Sequence, residues 1–208
     1  VALVVGDADW LAGADLSDFP VAWTVREAAI EVEAARAAGA AQLHPGRDGN
    51  LLVTGRVRSG DGADGLAGAA ATVTAAVDTA YVEHAPIEPE AGCAWMDGDV
   101  LVVSACTQAP VMDQEDTAKI LGLPLDRVRI IPATAGGGFG TKLDVSLQPL
   151  LGLAVLKTGK PCRMVYTRHE SMIATTKRHP AAMRGSLAAD ASGQLVGMTF
   201  EGDFNTGA

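Results

Sequence analysis

The sequence predicts a mixed α+β fold of mostly antiparallel strands with a few helices. Short β-branched or apolar runs, separated by glycine, proline and aspartate, predict the strands. Alanine-rich stretches that stop at glycine or proline predict the helices. The two kinds alternate irregularly and no internal repeat appears, which is the pattern of an α+β architecture. The 208 residues are 48% hydrophobic but only 4% aromatic, so one good core or two small ones must be packed with Ala, Val, Leu and Ile.

Taken in order, Ala2–Val5 reads as a strand, Gly6–Pro20 as a loop and Val21–Thr24 as a second short strand. Arg26–Ala38, rich in Ala and Glu, predicts a helix that Gly39 stops. Residues 44–63 are loop-rich around a strand at Leu51–Val57, which sets the expected domains at 1–45 and 46–208. A short helix over Ala63–Ala71, a strand over Val73–His84 and a two-proline loop over Ala85–Glu90 follow. Gly92–Met96 and Val100–Ser104 flank Asp97-Gly98-Asp99, a strong hairpin signal. Asp113 is the expected N-cap of a helix to Leu121, with Gly122-Leu-Pro124 as its stop. Residues 127–131 predict a strand, 144–157 a helix and Cys162–Thr167 another strand. A polar loop or short helix leads to Pro180, and Met183–Ala188 pairs with Leu195–Phe204 across Asp190-Ala-Ser-Gly193.

Between the strand at 127–131 and the helix at 144–157 stands Ala135-Gly-Gly-Gly-Phe139-Gly140-Thr141-Lys142. Glycines this dense lose much chain entropy on folding unless the backbone must turn sharply or be approached closely. A P-loop needs Lys followed by Ser or Thr, but Thr141 precedes Lys142 here. A GxGxxG fingerprint needs glycine where Thr141 or Leu143 stands. A glycine-rich structural turn and an anion-binding strand–loop–helix junction both remain open.

Composition narrows the partners. A net charge of −9 argues against nucleic acid and anionic membrane surfaces. No apolar run approaches the roughly 20 residues that span a bilayer, and no export signal stands at the start. Cys93, Cys106 and Cys162 are odd in number and form no CxxC pair, so the chain is not expected to hold an iron–sulfur cluster or zinc of its own. Inert buried thiols in a reducing cytoplasm are the expectation. His44, His84 and His169 have no ligand-spaced companions. The opening at Val1 and the close at Ala208 both read as cuts from a longer polypeptide.

Three segments in this order are more specific together than apart. They are Tyr81-Val-Glu-His-Ala-Pro-Ile-Glu-Pro-Glu-Ala-Gly92, then Ser104-Ala-Cys-Thr-Gln108-Ala-Pro110, then the glycine loop. Lys157-Thr-Gly-Lys-Pro161 and Thr175-Thr-Lys-Arg-His179-Pro180 lie downstream. From about Gly46 onward, the chain resembles the molybdopterin-binding subunit of the xanthine dehydrogenase/aldehyde oxidase family of molybdenum hydroxylases. Val1–Asp7 resembles a pattern late in that family's hammerhead-like α/β domain.

The resemblance implies that Gln108 approaches the oxo group on molybdenum, through an amide that brings no charge into the site. It also implies that Phe139 and Gly140 run beside the metal and its dithiolene, with Gly136, Gly137 and Gly138 making the turn and the space. The implied cofactor-binding set is Gln108, Gly137, Gly138, Phe139 and Gly140, with Gln108 and Phe139 near molybdenum without being ligands of the usual type. Alternatively, Gln108 is a polar residue ending a strand and Phe139 is a core anchor. Lys142 and Thr175–His179 could meet a phosphate or pterin edge, or form a solvated loop. Glu88 and Glu90 could be an acid/base pair, although a structural role in the pocket wall is the preferred reading.

Purine-oxidising members of the family carry an acidic residue where Leu143 stands, so an aldehyde or another heterocycle is the expected substrate and a purine is the alternative. Asp144, one residue on, would point elsewhere on a helix. The resemblance implies a molybdenum–molybdopterin cofactor, the cytosine dinucleotide form being one candidate. Iron–sulfur centres and FAD are expected on other domains or subunits, and the full protein is expected to oligomerise. The family's catalytic glutamate matches nothing up to Ala208, so the isolated chain is expected to be inactive. The competing class is a non-catalytic binding or subunit-assembly domain.

Overall fold

A computed structural model describes residues 2–26, 28–60 and 62–206. The helices are α1 (Ala8–Gly13), α2 (Val32–Arg36), α3 (Gly62–Ala67), α4 (Pro110–Leu121), α5 (Gln148–Thr158) and α6 (Arg168–Ala174). The strands are β1 (Ala71–Thr79), β2 (Ala91–Asp97), β3 (Val100–Cys106), β4 (Val128–Ala133), β5 (Cys162–Val165), β6 (Ala181–Ala189) and β7 (Leu195–Phe204). All strand pairs are antiparallel except β3 with β4, as the α+β expectation requires.

The chain divides into two compact units, Val1–Pro20 with Val82–Arg178, and Val21–Tyr81 with His179–Ala208. Each unit is discontinuous in sequence.

The first unit is built on a four-stranded sheet of order β4-β3-β2-β5. Asp97 pairs with Val100 across the expected tight turn, where Gly98 supplies a φ of 61°. The parallel pairing of β3 with β4 needs a crossover, and α4 provides it. Ala94, Leu101, Val103 and Ala105 of the sheet pack against Leu147, Leu151 and Val155 at the start and on the buried face of α5. Burying a leucine of this kind contributes about 1.5–3 kcal/mol. Helix α4 ends in a Schellman motif, with Leu123 N–H on Ala118 O and Gly122 N–H on Lys119 O. Helix α6 opens with a capping box between Thr167 and Glu170.

The second unit is a three-stranded antiparallel sheet, β1-β6-β7, with α3 against β6 and β7. The 190–193 turn is held by Asp190 Oδ1, which accepts from Ser192 N–H and Gln194 N–H. This sheet is poorly covered: every residue of β1 but Thr79 is exposed.

Several local expectations are corrected. Ala2–Val5, Val21–Thr24 and Leu51–Val57 are not strands, because no neighbouring strand pairs with their backbone groups among the described residues. The helix expected over Arg26–Ala38 is confined to Val32–Arg36. Helix α4 begins at Pro110, not Asp113, since proline suits the first helical position. Asp113 is therefore inside the helix and fully buried. Helix α5 starts at Gln148 rather than 144. The cysteines are all free, but only Cys106 is buried; Cys93 and Cys162 are half-buried.

Candidate functional site

The glycine loop follows β4 but does not abut a helix N-terminus, because residues 134–147 are irregular up to α5. This corrects the strand–loop–helix junction expected there. What the glycines approach is their own chain. A Cβ on Gly136 would stand 2.7 Å from Glu88 Cβ. A Cβ on Gly138 would overlap the Gln108 amide. Gly137 and Gly140, with φ of 100° and 105°, fold against Pro86 and His84. Phe139 takes a φ of 55° and stays 75% exposed, which removes the reading of it as a core anchor in this chain.

Gln108 sits between the end of β3 and the start of α4, and its side chain faces the loop. Its Oε1 accepts from Gly140 N–H at 3.0 Å and from Lys142 N–H at 3.3 Å. Gln108 N–H donates to Lys142 O at 2.9 Å. The amide Nε2 has no hydrogen-bond partner among the described residues. Behind this segment, Thr107 is buried, and its Oγ1 accepts from Ala109 N–H. Gln148 Nε2 donates to Asp113 Oδ2 at 3.0 Å, tying α5 to α4. Burial pushes the Asp113 carboxyl above the usual aspartate range; hydrogen bonds from Thr107 and Gln148 oppose the shift, and Asp116 and Asp144 add to it.

The 82–90 loop crosses the same region and is anchored at each end. Glu88 Oε2 accepts from Lys142 Nζ at 2.7 Å and from Gly136 N–H at 2.8 Å. Glu83 Oε2 pairs with Lys177 Nζ at 2.6 Å. Arg168 donates to Ile87 O, and Arg178 N–H to Val82 O. Burial opposes ionisation of both glutamates, but their lysine partners and backbone donors outweigh it and hold both carboxyls below the ordinary range. Glu90 is 1% exposed with neither oxygen bonded, while Glu88 is salt-bridged. Only the Glu88 side chain is therefore engaged by partners across the fold, in keeping with a wall-building role for it.

The expected set of Gln108, Gly137, Gly138, Phe139 and Gly140 is thus drawn together into one strip. Lys142 and Lys177 are engaged by carboxylates, so neither is a free cation. Thr176 Oγ1 reaches Thr141 O at 3.4 Å, bringing that segment to the back of the loop, while His179 belongs to the other unit and lies beside Thr206. Leu143 is 43% exposed, and Asp144 is not on a helix. Among the described residues no group of three His, Cys, Asp or Glu side chains is arranged to hold a metal. Two surface depressions of about 310 and 290 Å³, around Ala35–Asn50 and around Met96, Leu101 and Leu156, are not lined by residues of the glycine strip. Sequence reasoning missed the pairing of Glu88 with Lys142 and of Glu83 with Lys177, for which spacing along the chain offers no signal.

With this geometry in hand, the chain belongs to the molybdopterin cofactor-binding domain family, whose model matches residues 43–208. It is a molybdenum-cofactor-binding domain of the xanthine dehydrogenase/aldehyde oxidase family of oxidoreductases. Over 131 residues it is 42% identical to the nicotinate dehydrogenase large molybdopterin subunit of Eubacterium barkeri, which covers 62% of this chain and 31% of that protein. Over its whole length it is 30% identical to a xanthine dehydrogenase molybdenum-binding subunit of Escherichia coli O157:H7, covering 28% of it. Its fold superposes on the aldehyde oxidoreductase of Desulfovibrio desulfuricans with a TM-score of 0.79 at 25% identity, over 87% of this chain and 20% of that one. The aldehyde oxidoreductase of Desulfovibrio gigas gives 0.76 at 28% identity, over 84% of this chain and 19% of that one. The chain therefore spans under a third of the length of these relatives. No helix among the described residues is long and apolar enough to cross a membrane.

Proposed function

We propose that the protein containing this chain is a molybdenum hydroxylase that oxidises an aldehyde or an N-heterocycle with oxygen drawn from water, and that this chain builds one wall of its cofactor site. The observation that carries the reading is the Gln108 amide. Its oxygen is held by two backbone N–H groups, and its NH₂ is left as a neutral, unpartnered donor beside a bare glycine backbone. Such a donor suits an oxo-type acceptor, because it meets developing negative charge without burying a charge of its own. The residues present therefore fit the cofactor.

In this reading Gln108, Gly137, Gly138, Phe139 and Gly140 face the cofactor, and none is a ligand of the metal. When bound, the molybdenum–pterin group supplies the redox chemistry, taking an electron pair from the substrate carbon as it gains oxygen. The chain's own residues orient and exclude: Gln108 Nε2 donates, the Gly138–Gly140 backbone permits close approach, and the exposed Phe139 ring shields that face from water. Glu88 is engaged by Lys142 and is not free to move a proton, and in this reading the base comes from the rest of the protein. Electrons leave through iron–sulfur and flavin groups on other domains or subunits. The same proposal takes in domains at 1–45 and 46–208, a cytosine dinucleotide form of the pterin, an oligomeric full protein, a cytoplasmic setting and inactivity of the isolated chain.

Leu143 supports a non-purine substrate, because an apolar side chain neither accepts a hydrogen bond nor shuttles a proton. The nicotinate-oxidising relative supports a heteroaromatic ring. The purine alternative draws on the relatives named for xanthine and hypoxanthine. The test is to purify the full-length protein from a host that matures related enzymes, measure molybdenum and pterin per subunit, and screen aldehydes, nicotinate-like rings and purines. Stoichiometric molybdenum with turnover of an aldehyde or a pyridine ring is expected. Xanthine turnover equal to the best substrate would overturn the assignment from Leu143. Protein devoid of molybdenum would overturn the whole reading in favour of a non-catalytic assembly domain.

A further inference from the structure

We propose that the Glu88–Lys142 ion pair is the positioning device of the glycine wall, fixing the direction in which the Gln108 amide faces the cofactor. The inference rests on the reading of that wall as cofactor-facing, and it concerns residues that do not touch the cofactor themselves. The Lys142 side chain is 1% exposed and its ammonium has one carboxylate partner, Glu88, at 2.7 Å. A buried ammonium without a counter-charge is strongly disfavoured, so Lys142 stays where Glu88 holds it.

The Lys142 main chain then meets Gln108 twice. Its carbonyl accepts from Gln108 N–H, and its N–H donates to Gln108 Oε1. Gly140 N–H donates to the same oxygen. A primary amide can exchange its oxygen and nitrogen by rotating half a turn, and only its partners decide which way it stands. Here rotation would set the NH₂ group against two N–H donors, so the oxygen is locked inward and the NH₂ outward. Lys142 supplies one of those two donors and the carbonyl that holds the Gln108 backbone, so the lock weakens when it leaves its place.

One carboxylate oxygen secures both ends of the loop, because Glu88 Oε2 also accepts from Gly136 N–H. The missing side chain at Gly136 is what admits it: a Cβ there would stand 2.7 Å from Glu88 Cβ. The pair therefore joins loop 82–90 to the first and last turns of residues 136–142, with Gln108 gripped between them.

The test uses the full-length protein with its cofactor and compares Glu88→Gln, Lys142→Met and Lys142→Arg. Two quantities are read: amide hydrogen exchange of the 136–142 segment, and molybdenum per subunit. Glu88→Gln and Lys142→Met should speed exchange in that segment by about tenfold or more and lower molybdenum occupancy several-fold. Lys142→Arg, which keeps a charge for Glu88, should return both to within about twofold of the parent. If either loss variant fails to fold, Gly136→Ala displaces Glu88 while leaving both charges in place, and it should give the same local loosening. Unchanged exchange at 136–142 in a folded variant would overturn the proposal, as would an arginine variant no better than the methionine one. A parent protein without molybdenum would defeat the cofactor reading alone, because exchange reports the clamp whether or not the cofactor binds.

Discussion

The two units of this chain bury their sheets to very different degrees. Strand β3 of the first unit is buried at Leu101, Val102, Val103, Ala105 and Cys106, whereas β1 of the second is exposed along its length up to Thr79. Of the buried apolar residues among those described, only Ala181 and Ala188 belong to the second unit. Every residue of the candidate wall is in the first. A donor aimed at a reacting centre must be held within a fraction of an ångström, and a central strand buried under α5 supplies that rigidity. An open three-stranded sheet with Val73 and Met198 more than half exposed does not.

The largest expected contrast is in core truncation. Leu151→Ala should destabilise the chain by about 3 kcal/mol through lost burial and a residual cavity. Val73→Ala on the open sheet should cost less than about 1 kcal/mol. Chemical denaturation measures both, and equal losses would break the distinction between the units.

Glycine substitution sharpens it. Gly138→Ala drives a Cβ into the Gln108 amide, so molybdenum occupancy of the full protein should fall about tenfold, the scale of losing a supporting contact around a metal. Gly185→Ala, whose nearest neighbour would lie 3.6 Å away, should leave occupancy unchanged. Metal analysis of the purified variants decides between them.

Titration separates the clamp from the framework behind it. Glu88 and Glu83 have lowered folded-state values, so their stabilisation is complete above the ordinary glutamate range near about 4.3 and is lost as pH falls through the lower folded values. Asp113 is raised, so the folded state holds its proton longer, and stability falls as pH rises from the ordinary aspartate range near about 3.9 through the folded value. Denaturation against pH should show Glu88→Gln with a shallower acid loss than the parent. Asp113→Asn should remove the fall between the ordinary aspartate range and the raised folded value. The smallest effect belongs to the second unit's surface. Arg36 and Asp203 pair at 3.0 Å but are each about half exposed, so Arg36→Ala should cost at most about 1 kcal/mol and less in high salt.

Local chemistry explains which elements could be read from the sequence. Both hairpins are specified by their turns, Asp97-Gly98 and Asp190 to Gly193, and both formed as expected. The ends of α4 and α5 were equally legible, because Gly122 and Gly159 take left-handed conformations that stop a helix. The starts were not. The helix expected from 144 begins only at Gln148, because Asp144, Val145 and Ser146 are weak helix formers, and Leu147 before it packs into the core. The apolar N-terminal runs had strand composition without a partner strand, and composition cannot supply one.

The site divides along the same line. The sequence by itself determined the glycine strip, the amide at Gln108, the apolar Leu143 and the family likeness, because these are properties of residue type and order. Only the tertiary structure decided what the glycines are for. Gly136 makes room for Glu88 and Gly138 for Gln108, and Lys142, 54 residues from Glu88, finds its counter-charge across the fold. Burial makes that pairing obligatory, since an ammonium withdrawn from water must meet a carboxylate wherever the chain brings one.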